Sequence, residues 1–224
     1  MKIKADFIET ELIISKEYIT ALEIENKKYF FRFIKNIYDI YNNNYCEEVH
    51  FFENDKEISN HNIIILNDYF NIDTSSKKYT AELQKSIINS IDENMNKELM
   101  SCYKKLTIIL KKILKNIDLP LCITQDYSIE SILKLMKISI DQKEELLDTL
   151  LLIIDVEKVL KLNRIIFLIN LKQYLSKEEL NELYKYAIYN DIYIILIDSQ
   201  SYGVCLKNEK KLIIDENLDE FMLE

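Results

Sequence analysis

This chain of 224 residues contains one glycine, Gly203, and one proline, Pro120. Loops that wrap phosphate groups need glycine, because only a residue without a Cβ lets consecutive backbone N–H groups close around the anion. Neither a phosphate-binding loop nor the glycine-rich turn of a dinucleotide-binding βαβ unit can be written with Gly203 alone, so no nucleotide site of those kinds is expected. The same scarcity dictates how turns are made. Tight turns with positive φ must be built from Asn and Asp, which tolerate the left-handed region better than other residues carrying a Cβ.

Three short runs are almost wholly apolar: residues 62–66, 164–169 and 192–197. Rich in Ile and ended by Asn67, Asn170 and Asp198, they read as strands buried on both faces. Between the second and third, Ser176-Lys-Glu-Glu179 forms a capping box, followed by Leu180, Leu183, Tyr184 and Ala187 at helical spacing. That is a βαβ unit, and it predicts a sheet that is at least partly parallel.

Residues 3–24 alternate apolar and polar positions as half-buried strands do. Residues 27–41 predict a helix with Phe30, Phe31, Ile34, Ile37 and Tyr38 inward, and residues 49–52 and 211–214 add two short strands. From about Thr80 to Leu162 there are several helical periods and no strand pattern, with a break at Asp118-Leu-Pro120. The expected architecture is an α/β head of residues 1–95 and 163–224, with a largely parallel sheet and no nucleotide-binding motif. A helical leg of residues 96–162 is inserted in it.

The cysteines Cys46, Cys102, Cys122 and Cys205 are widely spaced and form no C-x-x-C pair, as expected of reduced thiols in a cytoplasmic protein. With His50 and His61 the only histidines, a closed zinc site is not expected, and both read as ordinary surface or loop residues. The first residues, MKIKADFIETELIISKEY, carry acids inside their apolar runs, so neither a signal peptide nor a membrane span is indicated.

The formal net charge is −9, yet residues 97–115 hold six lysines and one acid, Glu98, so this stretch is +5 and the rest −14. On a helical wheel Lys97, Lys104, Lys111 and Lys115 fall in a stripe about 40° wide, flanked by Lys105 and Lys112. Leu99, Cys102, Leu106, Leu110, Ile113 and Ile117 form the opposite face, read as core. A rail of ammonium groups about 27 Å long suits contact with phosphates without reading bases. The plain alternative is a solvated helix face, although like charges without interleaved acids are unfavourable on a helix.

Two carboxylate sets invite other chemistry. Asp68, Asp73, Asp198 and Asp215 follow predicted strands, where converging acids hold Mg²⁺ for phosphoryl or nuclease chemistry, but Asp also ends strands simply by making turns. Asp118, Asp126 and Glu130 surround the turn after the basic helix, where acids gather Ca²⁺. Without EF-hand spacing, Asp126 and Glu130 equally suit the start of a helix over residues 128–137.

Several segments, in order and with matching separations, carry a resemblance. They are Phe51-Phe-Glu-Asn-Asp-Lys-Glu-Ile58, the strand at 62–66 leading to Asp68 and Asn71-Ile-Asp73, and residues 164–198 with Tyr174-Leu-Ser-Lys-Glu-Glu-Leu180. The last is Ile213-Ile-Asp-Glu-Asn-Leu-Asp-Glu-Phe-Met-Leu223. Over nearly its full length the chain resembles the accessory spacer-acquisition protein of type II-A CRISPR systems.

The resemblance implies an α/β head related to P-loop ATPases without their motifs, a helical leg and a homotetrameric ring. It implies a basic channel that accepts the free ends of double-stranded DNA, calcium ordering the leg against the head, and no catalysis. It also implies support for the CRISPR integrase proteins and the RNA-guided nuclease. By position, Lys104, Lys105, Lys111 and Lys112 fall on the first leg helix and are channel candidates, within a DNA-contacting set that includes Lys97 and Lys115. Asp118, Asp126 and Glu130 fall near the family's acidic hinge. This chain departs there by placing Pro120, Leu121, Cys122 and Ile123 between its carboxylates.

Overall fold

The computed structural model describes residues 1–54, 56–57, 63–72, 77–123, 126–141 and 143–224. In chain order the elements are β1 (Lys2–Ala5), β2 (Ile8–Ile13), β3 (Ile19–Ile24), α1 (Lys27–Tyr41), β4 (Val49–Glu53), β5 (Lys56–Glu57) and β6 (Ile63–Leu66). Four helices follow, α2 (Lys77–Ser90), α3 (Glu93–Leu114), α4 (Ile129–Met136) and α5 (Leu146–Val159). The chain then forms β7 (Ile165–Ile169), a 3-10 turn at Leu171–Gln173, α6 (Lys177–Tyr189), β8 (Tyr193–Asp198), β9 (Glu209–Ile214) and β10 (Glu220–Leu223).

The three Ile-rich runs are indeed strands of one sheet, whose order is β10-β9-β3-β8-β7-β6. β9, β3, β8, β7 and β6 run parallel, and β10 closes one edge antiparallel. The βαβ unit is β7-α6-β8, and its capping box is present: the Ser176 hydroxyl accepts from the Glu179 N–H at 3.2 Å and Glu179 accepts from the Ser176 N–H at 2.7 Å. β1, β2, β4 and β5 form a separate antiparallel sheet.

All six residues of β3 are buried, so its reading as a half-buried strand is corrected. A strand with parallel neighbours on both sides, here β8 and β9, is covered above and below. On one face Leu22, Ile24, Ile195, Ile197 and Leu212 share a core with Phe33 and Ile37 of α1 and with Ile3 and Phe51 of the small sheet. Phe31, expected inward, is exposed, because it lies about 200° round the helix from Phe33. The other face carries α6, with Leu180, Leu183, Tyr184 and Ala187 buried, and α5 packed against α6.

The chain divides into two compact units, Met1–Ile72 with Gln142–Glu224, and Asp73–Asp141. The divisions thus fall elsewhere than the expected 95/96 and 162/163. α5 belongs with the sheet because Leu150, Ile153 and Ile154 are buried there, and a buried Glu157–Arg164 ion pair fixes its end to the start of β7. α2 packs on α4 and belongs with the helices. No helix among the described residues is long and apolar enough to cross a membrane.

The turns are made mostly as the lone glycine demands. Asn43, Asn54, Asn163, Asn170, Asp191 and Asn208 have positive φ, beside Gly203 at 67°, but Lys137, Lys161 and Leu218 also adopt it, so the expectation that Asn and Asp alone make such turns is corrected. Asn170, at φ 56°, ties β7 to β8: its N–H donates to Ile197 O at 2.8 Å, and its Oδ1 accepts from the Ser199 N–H at 2.8 Å. Asn170→Gly keeps the backbone conformation and loses the side-chain bond, whereas Asn170→Ala loses both. Urea unfolding is expected to show a loss of about 1 kcal/mol for Gly and about 2 kcal/mol for Ala. Equal losses would place the whole effect in the hydrogen bond.

Candidate nucleic-acid interface

α3 is well signalled at both ends. The Asp92 side chain accepts from the Met95 N–H at 2.8 Å, Glu93 stands in the first turn, and Lys111 and Lys112 stand in the last, each complementing the helix dipole. Its 22 residues span about 33 Å. Lys97, Lys104, Lys105, Lys111, Lys112 and Lys115 are all exposed, so the six expected lysines form one solvated face and its flanks. Lys97 reaches Glu93 at 4.0 Å, an exposed pair worth at most about 0.5 kcal/mol. Ile108, 55% exposed, interrupts the rail, since it falls within about 20° of Lys97 on the wheel.

The opposite face departs from the sequence reading. Leu106, Leu110, Ile113 and Ile117 were expected in a core, yet each is more than 40% exposed and α3 buries no residue at all. The helical unit offers too little to cover it. Tyr127 meets Tyr103 edge to face with ring centroids 5.6 Å apart and donates to Asn96 Oδ1 at 2.7 Å. Leu133 is the buried residue of α4. A groove of about 300 Å³ is left between Tyr103, Leu106, Ile132 and Leu135.

The expected calcium ligands are not assembled. Among the described residues no group of three His, Cys, Asp or Glu side chains is placed to hold a metal ion. Asp118 and Asp126 are exposed, and Glu130 accepts from the Ser128 hydroxyl at 2.7 Å, which holds its carboxyl below the usual range. Ser128 also caps α4 by accepting from the Ser131 N–H at 3.2 Å. As placed, Glu130 stands in the first turn of α4.

Among the described residues the strand-end acids do not converge on a metal-holding group either. Asp68 accepts from the Phe70 N–H and the Asn71 side chain, and Asp215 from the N–H groups of Asn217 and Asp219, so both are turn formers. Asp73 and His61 lie outside the described residues. His50 is on β4, 2.6 Å from Glu57 and 2.9 Å from Glu47 O, and Glu57 holds its imidazole above the ordinary value.

Asp198 is wholly buried, within a charged cluster that the residue patterns did not reveal. Under the face of the sheet that carries α6, the Lys172 ammonium donates to Glu23 at 2.9 Å and Glu209 at 2.6 Å, with Asp198 at 3.8 Å. Lys211 meets Glu23 at 2.8 Å and donates to Val204 O at 2.9 Å. The available signal was charge at alternate positions within apolar strands: Glu23 is adjacent in register to Asp198, and Glu209 and Lys211 share one face of β9. Linking these to Lys172 required the strand order.

β3 passes into α1 through Glu25 and Asn26 alone, and the Asn26 side chain accepts from the N–H groups of Lys28 at 3.1 Å and Tyr29 at 3.3 Å. The helix-start amides that an anion would use are engaged by a side chain.

Among curated protein sequences none matches this chain. Among solved structures, Stu0660 of Streptococcus thermophilus has the same fold, with a TM-score of 0.65 at 14% identity, covering 100% of this chain and 76% of that one. The model of the CRISPR-associated protein family Cas_Csn2 matches residues 37–218, most of the sheet unit and all of the helical one. With a matching fold and a family match over that length, the chain belongs to the Cas_Csn2 family of CRISPR-associated proteins.

Proposed function

We propose that this protein binds the ends of double-stranded DNA, without cutting them, as a homotetrameric ring acting in CRISPR spacer acquisition beside the integrase proteins and the RNA-guided nuclease. The observation that carries the reading is that α3 exposes two opposite faces of different chemistry. Lysine ammonium groups spaced along one side match phosphates and carry no base preference. Leu106, Leu110, Ile113 and Ile117 on the other side make an apolar stripe of the kind that marks association surfaces. Covering that stripe with copies of the same chain leaves the lysines facing a shared space, and a ring so lined admits a duplex only from an end. The remaining charge of −14 keeps DNA away from the rest of the surface.

Gel shifts on one duplex, linear and covalently closed, test the threading. Retention of linear DNA alone is expected, with affinity falling steeply with salt and indifferent to sequence, and equal retention of circles removes the ring-threading element. The measurement is made with and without Ca²⁺. Replacing Lys104, Lys111 and Lys112 by Glu is expected to weaken linear-duplex binding about a hundredfold or more, and unchanged affinity clears α3 of any role. Light scattering reads the assembly: Leu110→Asp with Ile113→Asp is expected to lower the mass from four chains to one or two while circular dichroism stays helical. Labelled linear duplex incubated with Mg²⁺ is expected to stay intact, and cleavage would instead favour a metal-dependent nuclease.

A further inference from the structure

Residues 199–208 link β8 to β9 across the buried charges and are fastened to them by backbone groups. The Tyr202 N–H donates to Glu23 Oε2 at 3.1 Å, Val204 O accepts from Lys211 at 2.9 Å, and the Leu206 N–H lies 3.4 Å from Glu209 Oε2. The Tyr202 ring covers Lys172, whose ammonium is 5.6 Å from the ring centroid. Asp198 is the residue immediately before this segment, and neither of its carboxyl oxygens has a hydrogen-bond partner although the residue is fully buried. We propose that residues 199–206 are a proton-controlled latch, closed over the charged cluster while Asp198 carries a proton and released when Asp198 ionises.

The charge balance motivates the latch. The ammonium groups of Lys172 and Lys211 match the carboxylates of Glu23 and Glu209, so the cluster is neutral without Asp198. A fifth, ionised group is an unmatched buried charge, which is costly unless water reaches it. Of the surrounding elements, β3, β8 and β9 are locked in the sheet, and α6 is anchored by Leu183 and Tyr184. Of the linking segment, residues 199–206 hang on three backbone contacts to the cluster, on Ser199 to Asn170, on the Glu209 N–H donating to Leu206 O at 3.1 Å and on Cys205 Sγ to Glu209 O at 3.0 Å. They can lift without breaking strand pairing, whereas Asn208 O accepts from the Ile19 N–H at 2.8 Å and stays with the sheet.

The titration supports the geometry. Burial pushes the Asp198 carboxyl up to about 7, with Lys172 opposing and the carboxylates of Glu23 and Glu209 adding to the rise. Against burial, Lys211 and Lys172 hold Glu23 ionised, and Glu209 and Glu23 hold Lys172 protonated. The phenols of Tyr184, Tyr69 and Tyr202 are raised chiefly by burial and stay neutral. In the open form water returns Asp198 to an ordinary value near about 4, so the closed form binds the extra proton between about 4 and 7. Opening therefore grows with pH across that window and levels off above it. Release widens a cleft of about 250 Å³ between the segment, at Tyr202, Val204 and Leu206, and the start of α6, at Leu175 and Leu180.

Hydrogen exchange read by mass spectrometry on the unmodified full chain tests this, with rates corrected for the intrinsic pH dependence of exchange. Protection of residues 199–206 is expected to fall at least about tenfold from pH 5 to 7.5, while β7 keeps its protection and Asp198→Asn shows no fall. A pH-independent profile in the unmodified protein overturns the latch, as does the same fall in Asp198→Asn. Loss of protection in β7 in step with the segment overturns it too, because the opening is then global. If Asp198→Asn does not fold, the profile of the unmodified protein decides alone.

Discussion

β3 sits between β8 and β9, parallel to both, with every residue buried, and the architecture of the sheet unit follows from that placement. Parallel neighbours cannot be reached by a tight turn, so each approach to β3 requires a crossover that returns along the face of the sheet. α6 carries the chain from β7 to β8 and residues 199–208 carry it from β8 past β3 to β9, and the strands can be Ile-rich because α1 covers one face and α6 the other. Burial of that many Ile and Leu side chains, at roughly 1.5–3 kcal/mol each, offsets the entropy of ordering so long a chain. The helical unit has no such sheet to organise it, and α3 consequently ends with both faces in solvent.

The same sheet carries its charges where an open α/β sheet places chemistry, toward the carboxyl ends of Glu23 in β3 and Asp198 in β8. In this chain those groups are turned inward and paired with Lys172 and Lys211, and the link from β3 to α1 is too short to hold an anion. A run of six exposed lysines lies in residues 97–115, on α3 and at its end.

Strand and helix positions were legible because their signals are local. The runs ending at Asn67, Asn170 and Asp198 are strands, and the Ser176–Glu179 box starts a helix. α1 keeps its predicted span. The inward face of α1 was misjudged because Phe31 and Phe33 are equally apolar, and only the position of the sheet distinguishes them. The apolar side of α3 looks identical in sequence to a core face. Amphipathic spacing reports that a face needs cover and is silent on whether the cover comes from the same chain. The acids at 118, 126 and 130 were near in sequence and not gathered in space, while Glu23, Lys172, Asp198, Glu209 and Lys211 were far apart in sequence and gathered tightly.

By itself the sequence determined that this protein would be a mainly parallel α/β body with a helical insertion, that most of its positive-φ turns would be made by Asn and Asp, and that one helix would carry a basic stripe. Each of these depends on residue type and short-range spacing, through φ preferences, burial and helical periodicity. Tertiary structure alone decided that α5 belongs to the sheet unit, that the apolar side of α3 stays open, and that five ionisable groups meet beneath the link from β8 to β9. These are consequences of strand order and of which surfaces run out of partners, and a linear pattern does not encode either until the strands are set beside one another.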